Sequence, residues 1–258
     1  MQSSRFFPIT LAIVVLVFLG GAGLYLWIES QPEKVQKKRA TIDLAGKTDI
    51  PAPLWEEIAK RTDVGWLGLD GSNVTDKDLA KLGAMPGMTH LNLEGTRVTD
   101  KAAKSIGSMQ DLEWIGLVGT SLGSDTAIYF KALPKLNTLR LDNTKIDDKG
   151  MKTLAELPLL TFLTVSKTPL TDEGLKALGS SKSLRKLDIR ETKVTKDGLR
   201  DFSKLAPSCQ VLSSVGGDGG GPPGGKKGGE GGFKGPPKGF PGKGNKERAK
   251  SSEAPEGN

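Results

Sequence analysis

The residue types that carry most enzyme and metal chemistry are scarce in this chain. His90 is its only histidine and Cys209 its only cysteine, so the sequence offers one pair of soft zinc ligands and no intramolecular disulfide. Gly46-Lys47-Thr48 matches the end of a phosphate-binding loop, but Thr41 stands where that motif needs its first glycine. We therefore predict no catalytic residue, no metal site, no cofactor and no enzymatic activity. A hydrolytic Ser-His-Asp arrangement built on His90 stays an alternative, and Cys209 is expected to have a core or capping role.

The charge of the chain does not favour a nucleic-acid partner. The formal net charge is +7 at pH 7 and the pI is near 9.3. Residues 216–258 contain eight Lys or Arg and five Asp or Glu, which gives +3 of this excess. Over the rest of the chain both signs are interleaved, as is typical of a solvated surface. Nucleic-acid binding is therefore not predicted.

Apolar residues recur at a fixed interval in the middle of the chain. Repeat units begin every 24 residues, at Trp66, His90, Trp114, Thr138, Phe162 and Lys186. A looser first unit begins at Thr41, and a terminal fragment lies around Val211. The second and fourth positions of each unit are aliphatic, which indicates a short half-buried strand, and apolar residues at helical spacing follow. Each unit is predicted to form a strand, a turn and a helix, and neighbouring units must stack to bury their apolar sides.

Hydroxyl residues recur at two further positions of the unit. The seventh position holds Ser72, Thr96, Thr120, Thr144, Thr168 and Thr192. These side chains are expected to bond backbone groups of adjacent turns in a structural ladder. At the tenth position, often followed by Asp, the expected helix N-caps are Thr75, Thr99, Thr171 and Thr195.

Residues 139–151 (Leu-Arg-Leu-Asp-Asn-Thr-Lys-Ile-Asp-Asp-Lys-Gly-Met) and 163–175 (Leu-Thr-Val-Ser-Lys-Thr-Pro-Leu-Thr-Asp-Glu-Gly-Leu) resemble leucine-rich repeats. The pattern covers about two-thirds of the chain. It is most similar to the short repeats with Thr-Asp-x-Gly-Leu of large bacterial cell-envelope proteins, such as those of planctomycetes, and is related to cysteine-containing leucine-rich repeats. The resemblance implies an α/β fold, a leucine-rich-repeat solenoid of about seven units over residues 41–212, with a parallel sheet on the concave side and helices on the convex side. Local departures are expected in the first unit, at Pro51 and Pro53, and in the unit from Trp114, where Gly123-Ser-Asp replaces Thr-Asp.

The first, third and fifth side chains of each strand are predicted to point away from the core, onto the concave face. Large aromatic residues recur there at alternate repeats, and such residues dominate the energetics of protein interfaces. Acidic residues beside them favour a basic or amine-bearing partner. The predicted partner-binding residues are Trp66, Asp70, His90, Asn92, Glu94, Trp114, Arg140, Asp142 and Phe162. The alternative is that flanking loops partly bury the rings, which then bind nothing.

Residues 6–28 contain no charged residue, and as a helix of about 34 Å they would span a bilayer core of about 30 Å. We predict a transmembrane signal-anchor helix there, between a flank at 1–5 and a charged linker at 29–40; a cleaved signal peptide is the alternative. No cysteine lies directly after the apolar run, which excludes a bacterial lipoprotein anchor. Basic residues in the linker favour a cytoplasmic repeat domain, whereas the short flank favours export to the periplasm or cell surface, which we expect. Residues 213–258, rich in Gly, Pro and Lys, are predicted to be disordered.

Together these features predict a membrane-anchored scaffold that binds a protein partner through its concave face. The alternative is a cell-envelope structural protein that binds polysaccharide or wall polymer, with the basic tail in contact with the polymer.

Overall fold

A computed structural model describes residues 15–17, 24–26 and 39–215. Its first two strands, β1 (Val15–Val17) and β2 (Leu24–Leu26), pair with each other antiparallel. The transmembrane helix predicted over residues 6–28 is thus not observed in the described part of that segment. No helix among the described residues is long and apolar enough to cross a membrane. A run of Val and Leu suits a strand as well as a helix, and hydrophobicity alone does not decide between them. The predicted disordered tail lies outside the described residues from position 216 onward.

The remaining eight strands form one parallel sheet, in which each strand lies beside the next one along the chain. They are β3 (Ala40–Asp43), β4 (Val64–Gly68), β5 (His90–Asn92), β6 (Trp114–Gly116), β7 (Thr138–Arg140), β8 (Phe162–Thr164), β9 (Lys186–Asp188) and β10 (Gln210–Leu212). This order confirms the predicted solenoid, since stacked consecutive units place consecutive strands side by side.

The pairing of the strands follows the repeat interval. Trp66 pairs with His90 and His90 with Trp114, and this register continues to Lys186 on β9. The first unit departs from it: the register between β3 and β4 shifts between Ala40 and Thr41. Thr41 and Trp66 lie 25 residues apart, so this pair of units must accommodate one extra residue, as a β-bulge does.

The core is built from the aliphatic positions of the unit. Side chains at the second position are fully buried: Leu67, Leu91, Ile115, Leu139, Leu163 and Leu187. Those at the fourth and ninth positions are buried beside them, from Leu69 and Val74 in the second unit to Ile189 and Val194 in the seventh. They form one continuous cluster that extends through the units, which is why a single unit has no stable core of its own.

The helices form a second layer, in which each helix packs beside the helix of the next unit. They are α1 (Ala52–Lys60), α2 (Asp76–Leu82), α3 (Ala103–Gly107), α4 (Ala127–Phe130), α5 (Asp148–Leu154), α6 (Asp172–Leu178) and α7 (Lys196–Leu205). In the first unit Pro53 lies in the first turn of α1, where a missing N–H leaves no helical bond unmade. Short 3-10 turns precede both α3 (Asp100–Ala102) and α4 (Ser124–Thr126). The unit from Trp114 departs as expected at the N-cap, because Gly123 has no side chain where the preceding unit has Thr99.

The hydroxyl at the seventh position closes the turn that follows each strand. Thr96 Oγ1 donates to Leu93 O at 2.6 Å, and Thr144 Oγ1 donates to Leu141 O at 2.7 Å. The same bond to the carbonyl three residues earlier is made by Ser72, Thr120, Thr168 and Thr192. The prediction of a structural role is confirmed. The predicted bonds between adjacent turns are wrong, because each hydroxyl finds its acceptor within its own turn.

A carboxylate of one unit holds the start of the next unit's helix. Asp148 Oδ1 accepts the backbone N–H of Thr171 at 2.8 Å, and Asp148 Oδ2 accepts the Thr171 hydroxyl at 2.5 Å. The same pair of bonds joins Asp76 to Thr99 and Asp172 to Thr195. We name this arrangement the Asp–Thr clasp. Because it connects consecutive units outside the core, it fixes the start of the helix against the preceding helix at these three junctions.

Glycine leaves room for the clasp. A Cβ added at Gly174 would overlap Asp148 Oδ1 and lie 2.9 Å from Asp148 Cα. The Thr-Asp-x-Gly-Leu motif of residues 171–175 therefore has a structural explanation. Thr171 caps its helix and is held by the preceding unit, Asp172 holds the next unit, and Leu175 enters the core.

Candidate functional site

The first, third and fifth side chains of the units from β3 to β9 lie on the side of the sheet away from the core, and we name this surface the outward face. All nine predicted partner-binding residues lie on it, on five adjacent strands or directly after them: Trp66, Asp70, His90, Asn92, Glu94, Trp114, Arg140, Asp142 and Phe162. Parallel strands are spaced about 4.8 Å apart, so side chains at equal positions on neighbouring strands are within contact distance.

Two tryptophans of the outward face lie over glycines of their own strands. A Cβ added at Gly116 would lie 2.6 Å from Trp114 Cη2, and a Cβ at Gly68 would overlap the six-membered ring of Trp66. Each ring thus occupies the space that the side chain two residues later would otherwise fill. Gly68 and Gly116 are therefore part of the surface, which the sequence reasoning missed, although Trp-x-Gly recurs on β4 and β6.

The two tryptophans differ in exposure. Trp114 is only 7% exposed, although this face was predicted to present it to solvent. His90 stacks on it from the neighbouring strand, with ring centroids 6.3 Å apart and an angle of 26° between the planes. Trp66 is half-buried, as is Phe162 on β8. The ring at Trp114 therefore forms part of the floor of the surface, and Trp66 and Phe162 are the aromatic side chains that a partner could cover.

Thr89 connects the His90 ring to the backbone of the neighbouring strand β4. The His90 Nδ1 lies 2.8 Å from the hydroxyl of Thr89, which itself donates to Gly65 O. Burial lowers the pKa of His90. The imidazole is thus neutral at pH 7 and acts as an aromatic and hydrogen-bonding group rather than as a cation.

Carboxylates form a second row on the outward face. Asp70 Oδ1 accepts from the Asn92 side chain at 3.0 Å, and Glu94 forms an ion pair with Arg140 two strands away. Burial raises the pKa of Glu94; the nearby charges of Asp70 and Asp142 add to the rise, and Arg140 opposes it. Burial is the largest of these causes, so the raised pKa of Glu94 reflects mainly the removal of its carboxylate from water.

The remaining predicted site residue, Asp142, is held by the neighbouring strand. It accepts from the backbone N–H and hydroxyl of Ser166 and from the Thr164 hydroxyl. Towards the C-terminal end the charge changes sign, since the outward positions of β9 and the residues after it hold Lys186, Asp188 and Arg190, of which Asp188 binds Arg190. The outward face is therefore acidic and aromatic over β3 to β7 and weakly basic at β9.

The structure separates the serine of a nucleophile-elbow sequence from His90. Residues 119–123, Gly-Thr-Ser-Leu-Gly, have the Gly-x-Ser-x-Gly spacing of a nucleophile elbow, which the sequence reasoning overlooked. Ser121 lies in the turn after β6, where it bridges to Thr99, whereas His90 pairs with Trp114 at the opposite end of the strands. Serine and histidine are thus separated by the length of the strand and cannot share a proton.

Metal-binding and thiol groups show no arrangement for chemistry in the described part of the chain. No group of three or more His, Cys, Asp or Glu side chains there could hold a metal ion. Cys209 packs against the end of the core, and burial raises the pKa of its thiol to about 11. This placement agrees with the expected core or capping role, because a raised pKa suppresses the reactive thiolate.

Comparison with known proteins agrees with this architecture. A family model described as "Leucine Rich repeat" matches residues 132–155 and 156–179. The crystal structure of internalin C2 from Listeria monocytogenes superposes with a TM-score of 0.53 at 19% sequence identity, covering 69% of this chain and 73% of that one. A second internalin from the same organism gives a TM-score of 0.43 at 17% identity, covering 68% of this chain and 61% of that one. No curated protein matches the chain.

Proposed function

Since the chain is a leucine-rich-repeat protein, we propose that it is a scaffold without catalytic activity that binds a protein partner through the outward face. The observation that carries the proposal is the continuity of this face. Trp66, the Asp70–Asn92 pair and the Glu94–Arg140 ion pair lie on or directly after β4, β5 and β7 of one sheet, and Trp114 on β6 lies between them. A pre-ordered row of aromatic and charged side chains has little conformational entropy to lose on binding.

Aromatic residues beside charged groups are the residues most often found at the centre of protein interfaces. Trp66 is the best candidate for such a centre, since it is only half-buried and its ring lies near the carboxylate of Asp43. Trp114 supports this surface from below and is not available as a side chain that inserts into a partner.

A photo-crosslinking amino acid in place of Thr138, an outward position on β7 that is not among the predicted contact residues, would identify the partner in intact cells. The affinity of the purified partner is then compared for wild-type protein, Trp66→Ala and Tyr129→Ala. Tyr129 is an aromatic control on the helix layer with 40% of its surface exposed. We expect Trp66→Ala to weaken binding about 30-fold, equivalent to about 2 kcal/mol, and Tyr129→Ala to leave it unchanged. Equal affinities for all three proteins would refute the assignment of the outward face. Capture of polysaccharide instead of protein would support the cell-envelope alternative.

We also propose that residues 6–28 anchor the protein in a membrane and that the repeat domain is exported. The support is the uncharged composition of the segment, whose 23 residues include Tyr25 and Trp27 near one end. Extraction of cell membranes at alkaline pH should leave the protein in the pellet. External protease should then degrade the repeat domain in intact spheroplasts. Release at alkaline pH would refute the anchor, and complete protection from protease would refute export.

A further inference from the structure

The outward face carries an excess of negative charge over its first five strands. Its charged side chains in the units of β3 to β7 are Asp43, Asp70, Glu94 and Asp142 against Arg140, a net charge of −3 with His90 neutral. Arg140 is engaged by Glu94. The carboxylates of Asp43 and Asp70 have no ion pair among the described residues. A ligand that fits this part of the face must supply cations.

The chain itself contains a segment with that chemistry. Residues 226–250 hold eight Lys or Arg and two Glu, a net charge of +6, together with Phe233 and Phe240. Lysine ammonium groups can pair with carboxylates and also lie against indole rings, and both interactions strengthen when water is excluded. The face offers both kinds of group together, because Asp43 Oδ1 would lie 3.2 Å from a Cβ at Gly68, the residue that the Trp66 ring covers.

The point at which the described chain ends makes the contact reachable. After β10 the Ser214 hydroxyl accepts the N–H of Glu191, so residues up to 215 still follow the stacked units. All strands of the sheet from β3 to β10 are parallel. The chain therefore leaves β10 at the same edge of the sheet at which Asp70 and Glu94 follow their strands. From β10 to β5 is five strand spacings, about 24 Å, and the eleven residues from 215 to 226 can extend about 36 Å.

We propose that residues 226–250 of this chain bind the acidic and aromatic part of its own outward face, with lysines at Asp70 and Glu94, and so compete with any external partner. This goes beyond the proposed function, since it needs no second protein. The tail acts as a tethered ligand whose local concentration is set by the short connection. A partner must displace the tail, so the full-length protein should bind that partner more weakly than a protein that lacks residues 226–250.

Zero-length carbodiimide coupling of the full-length protein tests the contact without a partner. The reagent joins a lysine amine to a carboxylate that touches it, and peptide mass spectrometry locates the bond. We expect links from Lys226, Lys227, Lys234 or Lys238 to Asp70 or Glu94. The links should be abolished by Asp70→Asn with Glu94→Gln and unaffected by Asp125→Asn, a control on the helix layer whose side chain is 80% exposed. The yield should fall at high salt, because the Debye length falls from about 10 Å at 0.1 M to about 3 Å at 1 M.

Mixing isotopically light and heavy protein before coupling distinguishes a tail bound to its own chain from a tail bound to a second copy. Links within one isotopic form support the proposal. Links between light and heavy chains would show a second copy on the face and overturn it. So would an even distribution of links over the outward face and the helix layer, or no link to the outward face at all. Failure in any of these ways leaves the Trp66 experiment with an external partner unaffected, so the two proposals can fail separately.

Discussion

The six-membered ring of Trp114 lies over Gly116, two residues later on the same strand, in the space where a side chain would otherwise be. Glu94 Oε1 and Asn92 Oδ1 would lie 2.8 and 2.9 Å from a Cβ added there. The absence of a side chain at Gly116 therefore allows the Trp114 ring to lie on the sheet and allows Glu94 and Asn92 to lie close to it. The composition of the outward face depends on this backbone position as much as on its large side chains.

Replacing Gly116 with alanine should destabilise the protein by about 1–3 kcal/mol, because an added methyl group in a filled space forces its neighbours apart. The midpoint of urea unfolding, followed by tryptophan fluorescence, measures the change. Gly123→Ala is the matched control, since the nearest atom to an added Cβ there is 3.4 Å away and the backbone φ is −112°. Equal midpoints for the two variants would contradict the placement of the Trp114 ring.

Gly174 is needed for a different reason, which is the space that the Asp–Thr clasp occupies. Alanine is normally favoured over glycine within a helix by about 1 kcal/mol. Gly174→Ala should nevertheless lower the free energy of unfolding by about 1–2 kcal/mol, because the added methyl group displaces Asp148 from its two hydrogen bonds to Thr171. Urea unfolding of Gly174→Ala, Asp148→Ala and the double variant forms a double-mutant cycle. The combined loss should be smaller than the sum of the single losses; strict additivity would show that the two residues do not interact.

The repeat interval and the core could be predicted from the sequence because they depend only on spacing. Leu67, Leu91 and their equivalents recur every 24 residues with a second aliphatic residue two positions later, and stacked units can bury both only on one side of the sheet. The clasp was visible only in part. The threonines at 99, 171 and 195 could be recognised as N-caps. That Asp148 reaches the next unit depends on how closely the helices stack, and spacing in the sequence does not give that distance.

The exposure of the aromatic row could not be predicted for a similar reason. Alternation places Trp66 and Trp114 on the outward side, but the direction of each ring is set by the free volume beside it. Gly68 and Gly116 create that volume, and His90 fills the remaining space next to Trp114. Likewise, an uncharged Val- and Leu-rich segment fits more than one secondary structure, so the described part of residues 6–28 differs from the predicted helix.

Stability should fall as the pH is lowered from about 7.5 to 5.5. Burial lowers the pKa of His90 in the folded state, whereas in the unfolded chain a histidine titrates near about 6.5. In this range the unfolded state therefore binds more protons, and the free energy of unfolding decreases as the pH falls. His90→Gln should flatten the dependence, as measured by urea unfolding at several pH values. Glu94→Gln is the control. The pKa of Glu94 is raised in the folded protein, so its contribution to the free energy of unfolding decreases as the pH rises, and its removal should not flatten the slope. A slope that is unchanged in His90→Gln would exclude His90 as its source.

The thiol of Cys209 should react slowly in the native protein. Burial raises its pKa to about 11, so at pH 8 about one thiol in a thousand is ionised, compared with about a quarter of unperturbed cysteines, whose pKa is about 8.5. We expect alkylation by iodoacetamide at pH 8 to be at least about 100-fold slower than in the urea-unfolded protein. The observed rate should still increase tenfold per pH unit between pH 8 and 10, since only the thiolate reacts. Leu205→Ala, at an exposed position four residues earlier, is the matched variant. If the core rather than the helix end buries Cys209, the thiol of this variant should react as slowly as that of the wild-type protein. A native rate equal to the unfolded one would show that Cys209 does not close the core.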